Sequence, residues 1–253
     1  MIILISPAKT LDFASPFNDA PSQPAFAAEA LRIARAASRL GADELAALMH
    51  ISPKLAQLNR DRFKDFAKAE QRPAIRAFAG DVYRGFDAAS ADEQTIAFAQ
   101  DHLRILSGLY GLLRPLDAIR PHRMEMGTRW APAGDRLTDH WGKRLARAVV
   151  AEARAEGSAV LLNLASKEYF AAVGPHLPKR GGVRVVAPDF RVRTAKGVQF
   201  QSFAAKVARG TMARWVCDER VEDPARLRDF DADGWRFEPG ESQADAPLFV
   251  REN

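Results

Sequence analysis

Cysteine is nearly absent from this chain: Cys217 is the single one in 253 residues. One thiol excludes an internal disulfide and any cluster of thiolate metal ligands. There are five histidines, and none falls in a ligand spacing such as His-Glu-x-x-His. No apolar run approaches the roughly 20 residues a membrane helix needs. The N-terminal MIILISP is too short for a signal peptide and lacks its positive lead. Phosphate-binding Gly-rich loops, dinucleotide fingerprints and nucleophile–base–acid orders are missing, as are internal repeats and low-complexity segments. The expectation is a cytoplasmic, soluble chain with no metal, no cofactor and no membrane partner.

What remains is ordinary globular material, 47% hydrophobic and 27% charged, enough to bury a core. The net charge is +5 and the pI about 9.5. This mild basic excess suits nucleic acid or another polyanion, although many plain soluble proteins share it. No composition break splits the sequence. The reading is one compact α/β domain over residues 1–253, expected to be a monomer.

The run IILI at 2–5, closed by Ser6-Pro7, reads as a buried strand. The loop at 8–12 follows its C-terminal end, the edge where open α/β sheets bind ligands. Lys9 there is placed for an anion, or is simply solvated. A second buried-type strand at 159–164 ends in Asn163, then Ser166 and Lys167, with Ser166 a candidate helix cap. If the two strands run parallel, Ser6, Lys9, Asn163, Ser166 and Lys167 share one edge and line a cleft, unless they merely cap and turn.

Phe26, Ala30, Ile33, Ala37 and Leu40 mark an amphipathic helix stopped by Gly41. Ser52-Pro53 has the form of a helix start. Residues 80–86 read as a glycine-bracketed loop. The pattern at 90–93 is a capping box that starts a helix carrying Ile96, Ala99, Leu103 and Leu106 inward. Towards the C-terminus, strands at 183–186 and 198–203 form a hairpin, a helix covers 204–219, and short strands at 234–237 and 248–250 pair. Lys206 and Arg209 lie off the core face of that helix.

The stretch at 104–127, RILSGLYGLLRPLDAIRPHRMEMG, organises the rest. It reads as a helix tail, a Gly-x-x-Gly turn at 108–111 and a second helical run stopped by Pro115. Free amides at such a helix start attract anions, and Arg104, Arg114, Arg120 and Arg123 surround the turn. The physical reading is a helix–hairpin–helix element holding a phosphate backbone; a plain helix–helix corner fits the same residues. Beyond it the chain is extended, and Arg123 and Glu125 fall on one face by the period of two.

Several blocks then resemble the YaaA peroxide-stress-response family: IILISPAKTLD at 2–12, GDVY at 80–83, LRILSGLYG at 103–111, LRPLD at 113–117, RMEMG at 123–127, NLAS at 163–166 and AKVARG at 205–210. The resemblance runs in order through nearly the whole chain. It implies a mixed α/β fold with a positively charged cleft and a helix–hairpin–helix, DNA binding, and a role in keeping intracellular free iron low under hydrogen peroxide. Carried over, the hairpin falls on 107–114. The expected phosphate contacts are Lys9, Arg104, Ser107, Gly108, Gly111, Arg114, Arg123, Lys206 and Arg209, gathered into one groove and touching mainly the DNA backbone. Tyr83 or Tyr110 could stack on an unpaired base. The alternative is an enzyme acting on a nucleotide, damaged base or other phosphorylated ligand in the same cleft. Glu125 would then be acid or base, and Lys9 a clamp or nucleophile.

Overall fold

A computed structural model describes residues 1–134, 136–179 and 182–252. The chain opens with β1 (Ile2–Ile5) and β2 (Thr10–Leu11), then helices α1 (Ala27–Ala37), α2 (Ala42–Met49) and α3 (Pro53–Lys64). The middle holds β3 (Arg72–Pro73), α4 (Ala74–Ala77), β4 (Phe78–Ala79), α5 (Asp81–Phe86), α6 (Glu93–His102), β5 (Leu103–Ser107), β6 (Gly111–Leu113) and β7 (Ala118–Ile119). The last part is α7 (Leu137–Ala155), β8 (Val160–Asn163), α8 (Lys167–Phe170), β9 (Arg184–Val186), β10 (Asp189–Thr194), β11 (Gly197–Gln199), α9 (Ser202–Asp218), β12 (Arg236–Phe237) and β13 (Leu248–Glu252).

The main sheet has the order β6-β5-β1-β8-β9. β5, β1, β8 and β9 are parallel, and β6 is an antiparallel edge. β1 lies at the centre, covered on both faces, which is why IILI is apolar without alternation; all four residues are buried. A second sheet, β11-β10-β13-β12, is also mixed, with β10 parallel to β13. The mixed α/β class expected from the sequence is what forms. The 183–186 segment joins the main sheet, while the hairpin pairs β10 with β11. The final strand pair, β12 with β13, forms as expected.

The helix starts obey local chemistry. Ser52 caps α3, accepting from the Leu55 amide, with Pro53 at the first helical position. α6 is capped by Asp92, which accepts from the Thr95 amide, and not by Ser90 two residues earlier. α1 ends at Ala37, and Gly41 begins α2 instead of ending α1.

The helix expected to run through Leu106 stops at His102. Residues 103–107 form the fully buried strand β5 beside β1. Arg104 explains how a charged residue enters that strand. Its guanidinium donates to the carbonyls of Gln100, Asp101 and Leu103, the open end of α6, and its Nε meets Glu152 at 2.6 Å. It thus serves as the C-terminal cap of α6.

The helix–hairpin–helix expected at 107–114 is therefore a β-hairpin, with Ser107 paired to Gly111. Its glycines are there for close approach. A Cβ on Gly108 would stand 2.3 Å from the Met124 carbonyl, and one on Gly111, at φ +71°, would stand 2.7 Å from the Trp141 ring. Trp141 Nε1 also donates to the Gly108 carbonyl at 2.8 Å.

The segment at 80–86, expected as a loop, is helix α5, and it lies backbone to backbone against α9. A Cβ on Gly210 would stand 1.8 Å from the Val82 carbonyl oxygen, and one on Gly85 2.1 Å from that of Val207. Two glycines on facing helices permit this contact and no other side chain would.

Candidate functional site

The C-terminal ends of β1, β5 and β8 open on a small pocket lined by residues that include Lys9, Phe78, Ser107, His122, Arg123, Glu125 and Tyr169. This is the edge at which parallel sheets present ligands. The strand ends are tied together: the Ser166 amide donates to Ser6 Oγ at 2.9 Å, and Tyr83 donates its hydroxyl proton to the Ser6 carbonyl at 3.2 Å.

Glu125 is the centre of charge. Arg123 Nε donates to its Oε1 at 2.8 Å, and Lys9 Nζ stands 3.8 Å from the same oxygen. The Glu125 side chain is 13% exposed, against 65% for Lys9. Its other oxygen, Oε2, is buried without a protein partner. Buried carboxylate oxygens normally hold a donor, so Oε2 is an open acceptor.

His122 stands beside it in a different state. Its Nδ1 lies 2.7 Å from the Arg120 carbonyl, so this nitrogen carries the proton and Nε2 the lone pair. Burial pulls its pKa down to about 4, and nearby Arg62 adds to that effect. His122 is a neutral imidazole at pH 7. Tyr110, from the hairpin, packs its ring 5.3 Å from His122 and accepts the Arg120 amide at 3.0 Å. Burial raises the Tyr169 hydroxyl, with the Glu168 and Glu125 carboxylates adding to it, and burial raises Tyr83 likewise. Both phenols stay protonated. The arrangement can hold an anion at Lys9 and Arg123, where Lys9 faces water, and accept a hydrogen bond at the buried Glu125 Oε2.

Of the residues singled out in the sequence, Ser6, Lys9, Ser107, Arg123, Glu125 and Ser166 come together at this edge. Gly108 and Gly111 are buried within the hairpin and are not open to a phosphate backbone. Asn163 accepts the Ala165 amide at 3.1 Å and shapes the end of β8. Lys167 is exposed at the start of α8, where Ser166 holds the cap position without a capping bond.

Lys206 meets Asp81 at 3.5 Å. Gly80, next to Asp81, packs so closely on Ala8 that a Cβ there would be 3.0 Å away. Lys206 thus lies near Lys9's loop without being among the residues that line the pocket. Arg209 is partly buried, which pulls its pKa down, and its nearest opposing charge is Asp189 on β10.

Arg104 and Arg114 do not join the others. Both line a separate cavity of about 260 Å³ with Ser22, Asp117 and Glu152. β6 runs antiparallel to β5, so Arg114 is carried to the opposite end of the sheet from Lys9. The single groove expected to hold Lys9, Arg114 and Lys206 thus loses Arg114, and Arg104, 3% exposed, is off the surface. Tyr83 and Tyr110 are buried too, so neither ring is open to stacking.

Sequence reasoning missed His122, Phe78 and Tyr169. No motif in the sequence marks His122. The one local hint was its place between Pro121 and Arg123, two residues before Glu125.

Among the described residues no three or more His, Cys, Asp or Glu side chains gather as a metal site, and no helix is long and apolar enough to cross a membrane.

Comparison with known proteins agrees with the block pattern. Residues 1–241 match the family described as peroxide stress protein YaaA. A UPF0246 protein of Rhizorhabdus wittichii is 52% identical over 253 residues, covering 99% of both chains. One from Roseobacter denitrificans is 48% identical, covering 99% of this chain and 98% of the relative. One from Ruegeria pomeroyi is 46% identical with the same coverage.

Proposed function

We propose a function on the premise that the chain belongs to the peroxide stress protein YaaA family. It protects the cytoplasm under peroxide by holding DNA through the phosphate backbone along the basic rim of the Glu125 pocket. In doing so it helps keep free iron low and limits oxidative DNA damage. What supports this reading is the placement of Lys9 and Arg123, from distant segments, beside Glu125, with Lys206 near Lys9's loop. Lys9 and Arg123 share a single carboxylate, which leaves positive charge in excess there. The buried hairpin residues 107–113 have no part in the proposed contact. One exposed helix start among the described residues is the turn between α2 and α3, where His50 sits at φ 50° and Ser52, Pro53 and Lys54 face solvent.

Backbone-driven binding releases counterions, so affinity falls steeply with salt. Fluorescence anisotropy with labelled duplex at rising salt tests it. Lys9→Ala and Lys206→Ala should each lower the log–log salt slope by about 1. Affinity that does not change with salt refutes the reading.

A second reading rests on Glu125 Oε2 and neutral His122: chemistry on a nucleotide, damaged base or other phosphorylated ligand. The enclosed space is only about 10 Å³, the room of roughly one water. A single reacting group would enter while the bulk of the ligand stays on the rim. Mass spectrometry of the purified protein for a retained ligand tests this. Glu125→Gln should lose any ligand so found, and unchanged retention would count against the assignment.

A further inference from the structure

Burying apolar surface is favourable, so a solvent-facing phenylalanine is conspicuous unless something covers it. Among the described residues the exposed large hydrophobics are Leu58, Phe200 and Phe203, and the last two stand three residues apart at 58% and 57% exposure. They flank the start of α9, in the turn from β11 into the helix. Arg84 of α5 places its guanidinium carbon 5.8 Å from the centre of the Phe203 ring. One helical turn past Phe203, Lys206 meets Asp81 of the same α5. The glycine contact holds the backbones of α5 and α9 together beneath these side chains. Gly80, next to Asp81, packs against Ala8, the residue before Lys9.

We propose that Phe200 and Phe203 form a stacking platform for unpaired bases, so that the nucleic acid preferred here is single-stranded. This rests on the DNA reading above and narrows it. A duplex hides the faces of its bases, and two exposed rings offer it nothing. A single strand presents those faces, which stack on aromatic side chains regardless of sequence while cations follow the backbone. The patch supplies both parts: two exposed rings, and Arg84 and Lys206 beside them. Its charge is that of a polyanion's partner, and the chain as a whole carries +5.

The test measures affinity for a labelled 20-nucleotide oligothymidine and for a duplex of equal length, at two salt concentrations. Phe200→Ala and Phe203→Ala should each weaken single-strand binding by about tenfold while changing duplex affinity less than about twofold. Phe203→Trp should restore binding and Phe203→Leu should not, which separates stacking from simple apolar contact. Both rings are exposed, so far-UV circular dichroism of each variant should match the parent. Equal loss on both DNAs, or no loss on the single strand, overturns the platform. So does a dimer in sedimentation, or attachment to anionic vesicles, that disappears with the rings. Salt-independent binding to both DNAs would instead defeat the backbone reading on which this rests.

Discussion

Replacing Gly210 by alanine sets two effects of opposite sign against each other. In the interior of an exposed helix the change would add about 1 kcal/mol of stability. Here the new Cβ would lie 1.8 Å from the Val82 carbonyl oxygen and 2.8 Å from the Phe86 amide nitrogen. Both are backbone atoms of α5 and cannot swing aside. Ordinary contact begins near 3.4 Å, so α5 and α9 would have to part by about 1.6 Å. Parting them disturbs Phe86 and Ala208, which are fully buried, and overpacking of this kind costs 1–3 kcal/mol or more. With the close backbone contact placing the cost at the upper end of that range, the expected outcome is a net loss of about 2 kcal/mol. Urea unfolding followed by circular dichroism would show it as a lower midpoint with unchanged slope. Gly134→Ala, where a Cβ meets nothing within 4 Å, serves as the neutral control. The damage should reach the site as well, because α5 carries Tyr83 to the Ser6 carbonyl. A Gly210→Ala protein as stable as the parent would show that the helix contact has been misjudged.

His122 should give the protein an acid-sensitive stability. Its native pKa is depressed to about 4 from an ordinary 6.5, so the unfolded chain takes up the proton first as pH falls. Stability from this group is complete above pH 6.5 and drains away towards pH 4, by at most about 3 kcal/mol. His122→Gln should flatten that part of the profile in urea titrations at several pH values, and an unchanged profile would contradict the buried neutral state. Arg104→Met should cost about 3 kcal/mol, since three carbonyls at the end of α6 and Glu152 lose their donor; duplex affinity, compared under folding conditions, should not change. Cys217 is fully buried and burial pushes its thiol pKa up. It should resist a thiol reagent and dilute hydrogen peroxide in the native protein and react once urea unfolds it. Rapid native labelling would overturn that placement.

Where a signal is local, the sequence carries it. Ser52-Pro53 starts α3, the apolar IILI run is a strand, and the alternate spacing of Arg123 and Glu125 puts them in one ion pair. Even the shared edge of Ser6 and Ser166 followed from two strands of similar layout, once they were taken to be parallel. The misreadings share a cause. LRILS at 103–107 has the composition of a helix end, and it becomes a strand because β1 is its neighbour and Arg104 finds carbonyl partners. Gly108 and Gly111 looked like a phosphate-binding turn because a sequence shows that glycine is required but not what approaches it.

By itself, then, the sequence determined the α/β class, the buried strand β1, the cap of α3 at Ser52, the basic balance and the family blocks, all of which depend on neighbours along the chain or on composition. Only the tertiary structure decided which cations share a rim, that Arg104 and Arg114 lie elsewhere, that His122 is neutral and that Phe200 and Phe203 remain uncovered. Those properties depend on burial and on distances between residues far apart in sequence, and in a field that decays over a few ångströms such distances decide charge and contact alike.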